Sequence, residues 1–183
     1  MARRNKSRFA LLGLLTLGDM SGYDLRKLFG QSLIHFWNES YGQIYPELRR
    51  MAAEGLVDVR QETARGKPAR NVYTLTPKGR EALDDWLSTA AEPSPYRIEL
   101  LLKLFFGRQA DPATSRSQVL RFQQEQRRLL ERYQAIERQL EAEAGASPDQ
   151  PYWLMTLSYG QHLARALLAW SEETLNKLES SSR

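Results

Sequence analysis

The 183-residue chain is long enough for one domain or two small ones, and its 42% hydrophobic and 26% charged residues are typical of a globular protein. The absence of cysteine excludes disulfide bonds, thiol nucleophiles and thiolate metal sites, and suits a reducing cytoplasm. The net charge is +4, and the excess lies in residues 1–87, where 14 Lys and Arg face 10 Asp and Glu, so the N-terminal half is expected to meet an anion such as nucleic acid.

Two helices are predicted at the start of the chain. The apolar run from Phe9 to Leu17 predicts a buried helix that ends at Gly18. This run is too short to span a bilayer, and no small-x-small cleavage site of a signal peptide follows it. Ser21 is a favoured N-cap for a second helix. The residues predicted on the inner side of that helix are Tyr23, Leu25, Leu28 and Phe29.

A third helix is predicted from about Ser40 to Glu54, and Gly55 is predicted to stop it. Ile44, Leu48 and Met51 are spaced four and three residues apart, so they form one apolar inner face. Pro46 lacks a backbone donor, and we therefore expect an irregular first turn rather than a break. The preceding segment "LIHFWNES" is ambiguous between a loop and a short helix.

Two strands and a fourth helix follow. Alternating apolar and polar residues predict strands in "LVDVRQE" and "NVYTLT", with Val72 and Leu75 facing inward. The segment between them, "TARGKPAR", is too long for a tight turn and predicts a hairpin with a basic tip. Thr76 and Pro77 are the favoured N-cap and first residue of the next helix. The apolar residues of that helix are Ala82, Leu83, Trp86 and Leu87.

The second half of the chain is predicted to be helical. The segment "STAAEPSPYR" marks a domain boundary, and "IELLLKLFFG" predicts a buried helix after it. Residues 113–144 lack Gly and Pro and predict one long helix, which "GASPDQP" separates from a last helix, Tyr152 to about Leu178. The long helix carries a seam of alternating spacings of three and four, typical of a coiled coil, with Gln126 as its polar member. The other seam residues are Val119, Phe122, Leu129, Tyr133, Ile136 and Leu140.

The order of helix, helix, helix, strand, basic loop, strand and helix is that of a winged helix-turn-helix domain. The whole chain is predicted to be mainly α-helical with a small β-hairpin. Such a domain places the front of one helix in the major groove, while other groups hold phosphates. Solvated surface or packing remains the alternative interpretation for each candidate residue. The predicted DNA-binding residues are Ser40, Tyr41, Gln43, Tyr45 and Arg49 of the third helix and Arg65, Lys67 and Arg70 of the hairpin.

Three segments resemble the PadR family of bacterial transcriptional regulators: "FALLGLLTLGDMSGYDLRKLF", "FWNESYGQIYPELRRMAAEGLV" and "GKPARNVYTLTPKGREALDDWL". The resemblance covers residues 8–87 almost continuously, and "SYGQIYPELRRM" resembles the recognition helix of the family. The later helices resemble, by their pattern, the long C-terminal region of the branch that includes virulence regulators. This resemblance implies a DNA-binding domain in residues 1–90 and a helical dimerisation domain, which could also sense an effector, in residues 91–183.

The resemblance also implies a cytoplasmic homodimer that binds double-stranded DNA, commonly under the control of a small aromatic or hydrophobic ligand. The seam of the long helix would then join two subunits; folding back within one chain is the alternative. Trp153, Tyr159 and Trp170 are candidate effector-binding residues, although aromatic residues at such spacing more often form a core or an interface. The resemblance implies a repressor or an activator, and of the two we expect a repressor that the effector releases from DNA.

No enzymatic activity is predicted, because the sequence has no P-loop, dinucleotide-binding glycine cluster or nucleophile elbow. His35 and His162 lack neighbouring residues at ligand spacing, so no metal or other cofactor is expected. The alternative function is a protein–protein interaction adaptor built on a winged-helix module. A basic hairpin beside a polar helix front favours DNA, because an adaptor would more often expose an apolar patch there.

Overall fold

The computed structural model describes residues 6–33, 36–37, 41–63, 69–93, 97–143, 145 and 147–181. The chain divides into two compact units, Met1–Pro93 and Ser94–Arg183. The division falls within the proline-containing segment of residues 88–97. Within the described residues, no helix combines the length and the apolar character needed to cross a membrane.

In its described part, the N-terminal unit combines four α-helices with a three-stranded antiparallel sheet. The elements are α1 (Ser7–Leu15), β1 (Met20–Ser21), α2 (Gly22–Ser32), a 3-10 turn (Tyr41–Gln43), α3 (Ile44–Ala53), β2 (Val57–Glu62), β3 (Arg70–Leu75) and α4 (Pro77–Ser88). Strand β3 lies between β1 and β2. The predicted mainly helical fold with a β-hairpin is confirmed. The two-residue β1 was not predicted, because it is too short to show an alternating pattern.

The predicted helix starts are confirmed by their capping hydrogen bonds. The Ser21 hydroxyl accepts a hydrogen bond from the Asp24 backbone N–H at 3.2 Å, and the Asp24 carboxylate accepts one from the Ser21 N–H at 3.3 Å. This reciprocal pair is a capping box. The Thr76 hydroxyl accepts a hydrogen bond from the Gly79 N–H at 3.0 Å, and Pro77 follows as the first residue of α4. Both helices therefore begin where short-range chemistry places them.

Helix α3 has the irregular start and the glycine stop expected from its sequence. The 3-10 turn Tyr41–Gln43 runs directly into it, and Pro46 lies in its first turn, where a missing backbone donor is tolerated. At the other end, Gly55 has a φ of +72°, and the Leu56 N–H donates to the Met51 carbonyl at 2.9 Å. These are features of a Schellman motif.

The core of the N-terminal unit lies between the four helices α1 to α4 and the sheet. Its fully buried side chains are Leu11, Leu12, Leu25, Leu48 and Met51, and Ile44, Val72 and Leu83 are also buried. The prediction that Tyr23 lies on the inner side of α2 is wrong. Tyr23 is 68% exposed because it lies two residues before Leu25, about 200° around the helix. Leu87 is exposed, and the neighbouring Trp86 instead stacks on Phe9 with ring centroids 4.7 Å apart.

The C-terminal unit is helical throughout its described part. Its elements are α5 (Glu99–Phe105), a 3-10 turn (Gly107–Gln109), α6 (Pro112–Ala142) and α7 (Gln150–Ser181). Helices α6 and α7 run antiparallel: Arg116 near the start of α6 pairs with Glu179 near the end of α7 at 3.1 Å. At the other end of the pair, the Gln150 amide donates a hydrogen bond to the Leu140 carbonyl. The predicted long helix, chain break and last helix are therefore confirmed.

Helix α5 is the element whose environment was predicted wrongly. None of its residues is buried, and Phe105 is 82% exposed. A continuous apolar run indicates that a segment needs cover, but it does not say whether the same chain supplies that cover. The exposed large apolar residues here are Ile98, Leu101, Leu102, Phe105 and Phe106.

Candidate nucleic-acid interface

The front of α3 presents polar and aromatic side chains to solvent. Gln43, Tyr45 and Arg49 are exposed, whereas Ile44 and Leu48 on the opposite side are buried in the core. Within the described part of the chain, the Gln43 side chain makes no capping hydrogen bond with the start of α3. Tyr45 and Arg49 are one turn apart and share a face. This arrangement leaves three side chains able to make hydrogen bonds along an otherwise anchored helix.

Tyr45 also contributes to the contact between α2 and α3. Its side chain is 42% exposed, and its ring lies directly against Gly22 at the start of α2. A Cβ atom added at Gly22 would lie 2.7 Å from Cε1 of this ring. Glycine is therefore needed for this close approach. The packing holds the tyrosine ring in place while its outer part remains accessible.

A buried ion pair fixes the inner side of α3. The Glu47 side chain is 1% exposed, and its Oε1 accepts a hydrogen bond from Arg8 Nε at 3.1 Å. Its Oε2 accepts one from Arg50 Nη1 at 2.6 Å. Arg8 also binds Glu54 at the end of α3 through two hydrogen bonds of 3.0 and 2.9 Å. These hydrogen bonds, together with the attraction of the two carboxylates, keep the pKa of Arg8 above its ordinary value.

Five charged residues cluster beside the end of the β2–β3 ladder from which the hairpin loop begins, and we call them the wing-base ion cluster: Asp19 before β1, Asp24 of α2, and Arg60, Glu62 and Arg70 of the two strands. Glu62 accepts hydrogen bonds from Arg60 Nη2 at 3.0 Å and from Arg70 Nη2 at 3.0 Å. The hydrogen bonds of Arg70 and Arg60 hold the pKa of the Glu62 carboxyl below its ordinary value. Arg70, predicted to contact DNA, is thus paired with an acid in this structure.

The structure brings together only part of the predicted DNA-binding set. Gln43, Tyr45 and Arg49 lie along the front of one helix, and Arg70 lies at the end of β3 next to the hairpin loop. Tyr41 belongs to the 3-10 turn before α3. Ser40 and the hairpin-tip residues Arg65 and Lys67 lie outside the described residues.

Three further residues of this region were not identified from the sequence. Tyr23 is exposed at the start of α2, and its position two residues after the Ser21 cap is a local signal that could have indicated this. Arg60 could have been placed from strand alternation, which sets it on the face opposite Val59. Glu47 had no such signal, because a carboxylate flanked by Pro46 and Leu48 in a helix is ordinarily solvated.

The predicted seam of α6 is partly used within the chain. Val119 and Tyr133 are buried, and the Tyr133 ring lies against Gly160 of α7, where an added Cβ would lie 2.7 Å from the ring. Phe122 makes an edge-to-face contact with Trp170 at a centroid distance of 5.8 Å. Leu129, Ile136 and Leu140 remain half-buried.

The three candidate effector-binding aromatics do not converge in one chain. Trp153 and Trp170 lie on the same helix, 17 residues apart, which corresponds to about 25 Å along its axis. Tyr159 is exposed, whereas Trp170 is half-buried against Phe122. One small aromatic molecule therefore cannot contact both tryptophans of one chain.

Two family profiles match the chain, one in each unit. Residues 11–85 match the transcriptional regulator PadR-like family, and residues 96–179 match the virulence activator alpha C-terminal family. The negative transcriptional regulator PadR of Bacillus subtilis is 30% identical over 178 residues, covering 94% of this chain and 97% of that protein. A probable transcriptional regulator of Mycobacterium tuberculosis is 26% identical over 170 residues, and the alignment covers 87% of this chain and 90% of that protein.

Solved structures of similar proteins share the fold over nearly the whole chain. Bacillus subtilis PadR in complex with operator DNA has a TM-score of 0.85 at 28% identity, covering 96% of this chain and 99% of that one. The same protein in complex with p-coumaric acid has a TM-score of 0.76 at 27% identity, with coverage of 98% and 99%. The Vibrio cholerae virulence activator AphA has a TM-score of 0.75 at 28% identity, with coverage of 95% and 98%.

Proposed function

Because the chain belongs to the PadR-like family of transcriptional regulators, we propose that it is a homodimeric, cytoplasmic repressor that binds operator DNA and is released by a small aromatic or hydrophobic effector. The resemblance inferred from the sequence and the fold of a winged helix followed by a helical region are confirmed. The observation that carries the proposal is the exposed front of α3, which is anchored from behind by a buried face.

In the proposed complex, α3 enters the major groove. Gln43 has the amide donor and acceptor that can bind an adenine edge in two places, and Arg49 can bind guanine or a phosphate. Tyr45 can donate its hydroxyl to a base edge or the backbone. The hairpin then reaches the neighbouring phosphates, with Arg65 and Lys67 as the proposed contacts. Support comes from the relative that was solved with operator DNA.

We assign DNA binding to residues 1–90 and dimerisation to residues 91–183. The exposed apolar residues of α5 support a subunit interface, because five large apolar side chains so close together are unusual on the surface of a monomer. We propose that a second copy of the chain covers them. Of the seam residues, Phe122, Leu129, Ile136 and Leu140 remain candidates for the same interface, while Val119 and Tyr133 are occupied inside the chain.

The effector is proposed to be a planar aromatic compound. The support is the relative solved with p-coumaric acid, together with the exposed rings of Trp153 and Tyr159 on α7. Since one small molecule cannot reach both Trp153 and Trp170 in one chain, the proposed effector site lies beside only one of these two residues. Binding there would have to differ between the DNA-bound and released states in order to change DNA affinity.

The test of the proposed function is a gel shift with DNA from upstream of the coding sequence of the protein. Excess nonspecific DNA competes in one set of lanes, and candidate aromatic acids are added in another. A complex that survives the competitor and is lost with an effector supports the proposal. A chain that binds no duplex, or that binds all duplexes equally, contradicts sequence-specific regulation and favours the adaptor alternative.

A further inference from the structure

In the wing-base ion cluster, carboxylates accept the hydrogen bonds of two arginines whose side chains lie on the same face of the hairpin. Arg60 and Glu62 are two residues apart on β2, and Glu62 pairs directly with Arg70 on β3, so the three side chains share one face of the hairpin. Glu62 Oε1 accepts hydrogen bonds from Nε and Nη2 of Arg60 at 3.2 and 3.0 Å. Its Oε2 accepts hydrogen bonds from Nε and Nη2 of Arg70 at 3.3 and 3.0 Å.

Two further carboxylates complete the cluster. Asp19 Oδ2 accepts a hydrogen bond from Arg60 Nη1 at 2.8 Å, so all three guanidinium nitrogens of Arg60 are engaged. Asp24 Oδ2 lies 3.9 Å from Arg70 Nη1. Three carboxylates therefore face two guanidinium groups, and the cluster has a formal net charge of −1. Within this set of five residues, the charges of the two arginines are therefore fully countered by carboxylates.

We propose that Glu62 is a restraint on DNA binding: it withholds Arg60 and Arg70 from DNA phosphates and so sets the affinity and salt dependence of the regulator. The inference rests on the proposed DNA-binding function. A guanidinium presents a limited set of donors, and the Nε–Nη2 edge used here for Glu62 is one of the two edges through which it can bind a phosphate in two places. An arginine must therefore leave Glu62, at least on that edge, before it can hold a phosphate in that way.

The exchange is feasible because the cluster is on the surface. Exposed ion pairs are weak and are screened by salt, so Glu62 tunes the phosphate contacts rather than abolishing them. A contrary role is also physically possible, in which Glu62 pre-positions the two arginines for DNA. The two roles predict opposite effects of removing the Glu62 charge, which makes the inference testable.

The experiment measures binding of the full chain to a fluorescently labelled operator duplex and to a scrambled duplex by anisotropy at several salt concentrations. Glu62→Gln is compared with Asp58→Asn, which removes the same charge from the same face of β2. Within the described residues, no ion pair joins Asp58 to a cation. We expect Glu62→Gln to tighten binding at least about threefold more than Asp58→Asn, because two exposed pairs per subunit are released.

The salt dependence gives a second readout. If both released arginines reach phosphates, the slope of log K against log salt should steepen by up to about 1.8 per subunit, at roughly 0.9 per contact. Asp58→Asn should leave the slope nearly unchanged. Asp19→Asn, which frees only Nη1 of Arg60, should shift the affinity in the same direction as Glu62→Gln but by less.

A double-mutant cycle tests whether the effect passes through an arginine. Arg60→Gln should weaken DNA binding more in the Glu62→Gln background than in the wild-type chain, because only there is Arg60 free to contact phosphate. The inference would be overturned if the Glu62→Gln variant bound DNA no more tightly than the Asp58→Asn variant. It would also be overturned if Arg60→Gln weakened DNA binding equally in both backgrounds. A wild-type chain that binds neither duplex would instead refute the proposed function itself.

Discussion

Arg8 and Glu47, which lie 39 residues apart in the chain, form a hydrogen-bonded ion pair that ties α1 to the inner side of α3. The Glu47 carboxylate is almost fully buried, whereas the Arg8 side chain is 25% exposed. Arg8 also donates two hydrogen bonds to Glu54 at the far end of α3. The helix proposed to read DNA is therefore held along its length by one residue of the first helix.

Removing the charge of Glu47 should destabilise the N-terminal unit. Glu47→Gln leaves Arg8 without one charged acceptor in a partly buried site, and we expect the free energy of unfolding to fall by about 2 kcal/mol. Urea denaturation measures this change. Glu81→Gln on the exposed side of α4 is the matched control and should stay within about 0.5 kcal/mol of wild type. An equal stability of both variants would mean that the ion pair contributes nothing net.

The Arg8–Glu54 pair should make part of the stability depend on acid pH. Hydrogen bonding to Arg8 holds the pKa of Glu54 below its ordinary value of 4.5. Because the pKa of Glu54 is lower in the folded state, the ion pair stabilises the fold at pH values above the pKa of the unfolded state. This stabilisation is lost as the pH falls below about 4.5. The melting temperature of the wild type should therefore exceed that of Glu54→Gln at pH 7, and the difference should shrink by pH 3. A difference that is the same at both pH values would contradict this linkage.

Two glycine-to-alanine changes should have opposite effects. At Gly160 in α7, an added Cβ would lie 2.7 Å from the buried Tyr133 ring, so Gly160→Ala should destabilise the protein by about 1–3 kcal/mol. At Gly13 in α1, the added Cβ would have no described atom within 4 Å apart from the backbone of its own helix, and Gly13→Ala should be neutral or stabilise by up to about 1 kcal/mol. Thermal melting of both variants checks the prediction. A stabilising Gly160→Ala would contradict the close packing of the Tyr133 ring against α7.

Substitutions in α3 should mainly affect contacts with DNA bases, whereas substitutions in the hairpin tip should mainly affect contacts with phosphates. If Gln43 binds a base in two places, Gln43→Ala should weaken operator binding by on the order of 1–3 kcal/mol per contact and relax sequence preference, with little change in salt slope. Arg65→Ala should weaken binding to operator and scrambled DNA together and flatten the slope by about 1.8 for a dimer. Titration of both variants at several salt concentrations is the measurement. The reverse pattern would refute the assignment of base contacts to α3 and of phosphate contacts to the hairpin.

The exposed apolar face of α5 should be required for dimerisation. Phe105→Glu places a charge where Phe105 is 82% exposed, so it should spare the fold of the chain but oppose burial in a subunit interface. Sedimentation equilibrium at micromolar concentration should show a dimer for the wild type and mostly monomer for the variant. Arg108→Glu, a change of charge at a nearby exposed residue, is the control and should remain dimeric. A wild type that sediments only as a monomer would refute the proposed dimer.

The sequence by itself determined the features that depend on residues within a turn or two of each other. The Ser21 and Thr76 caps and the stop at Gly55 were predicted because capping chemistry acts over three or four residues. The buried stripe of Ile44, Leu48 and Met51 followed from helical period, and the same period placed Gln43 and Tyr45 on the exposed front. The order of elements then identified a winged helix.

Only the tertiary structure decided which distant residues meet. The pairing of Arg8 with Glu47 and of Arg60 with Asp19, each about 40 residues apart, has no local signature, because any exposed acid near a cation would look the same in sequence. Likewise, the apolar run of α5 showed that the segment needs cover, but its exposure within the chain depends on what packs beside it. Periodicity reports which residues share a face of one element, whereas the partner of that face is set by how separate elements pack in three dimensions.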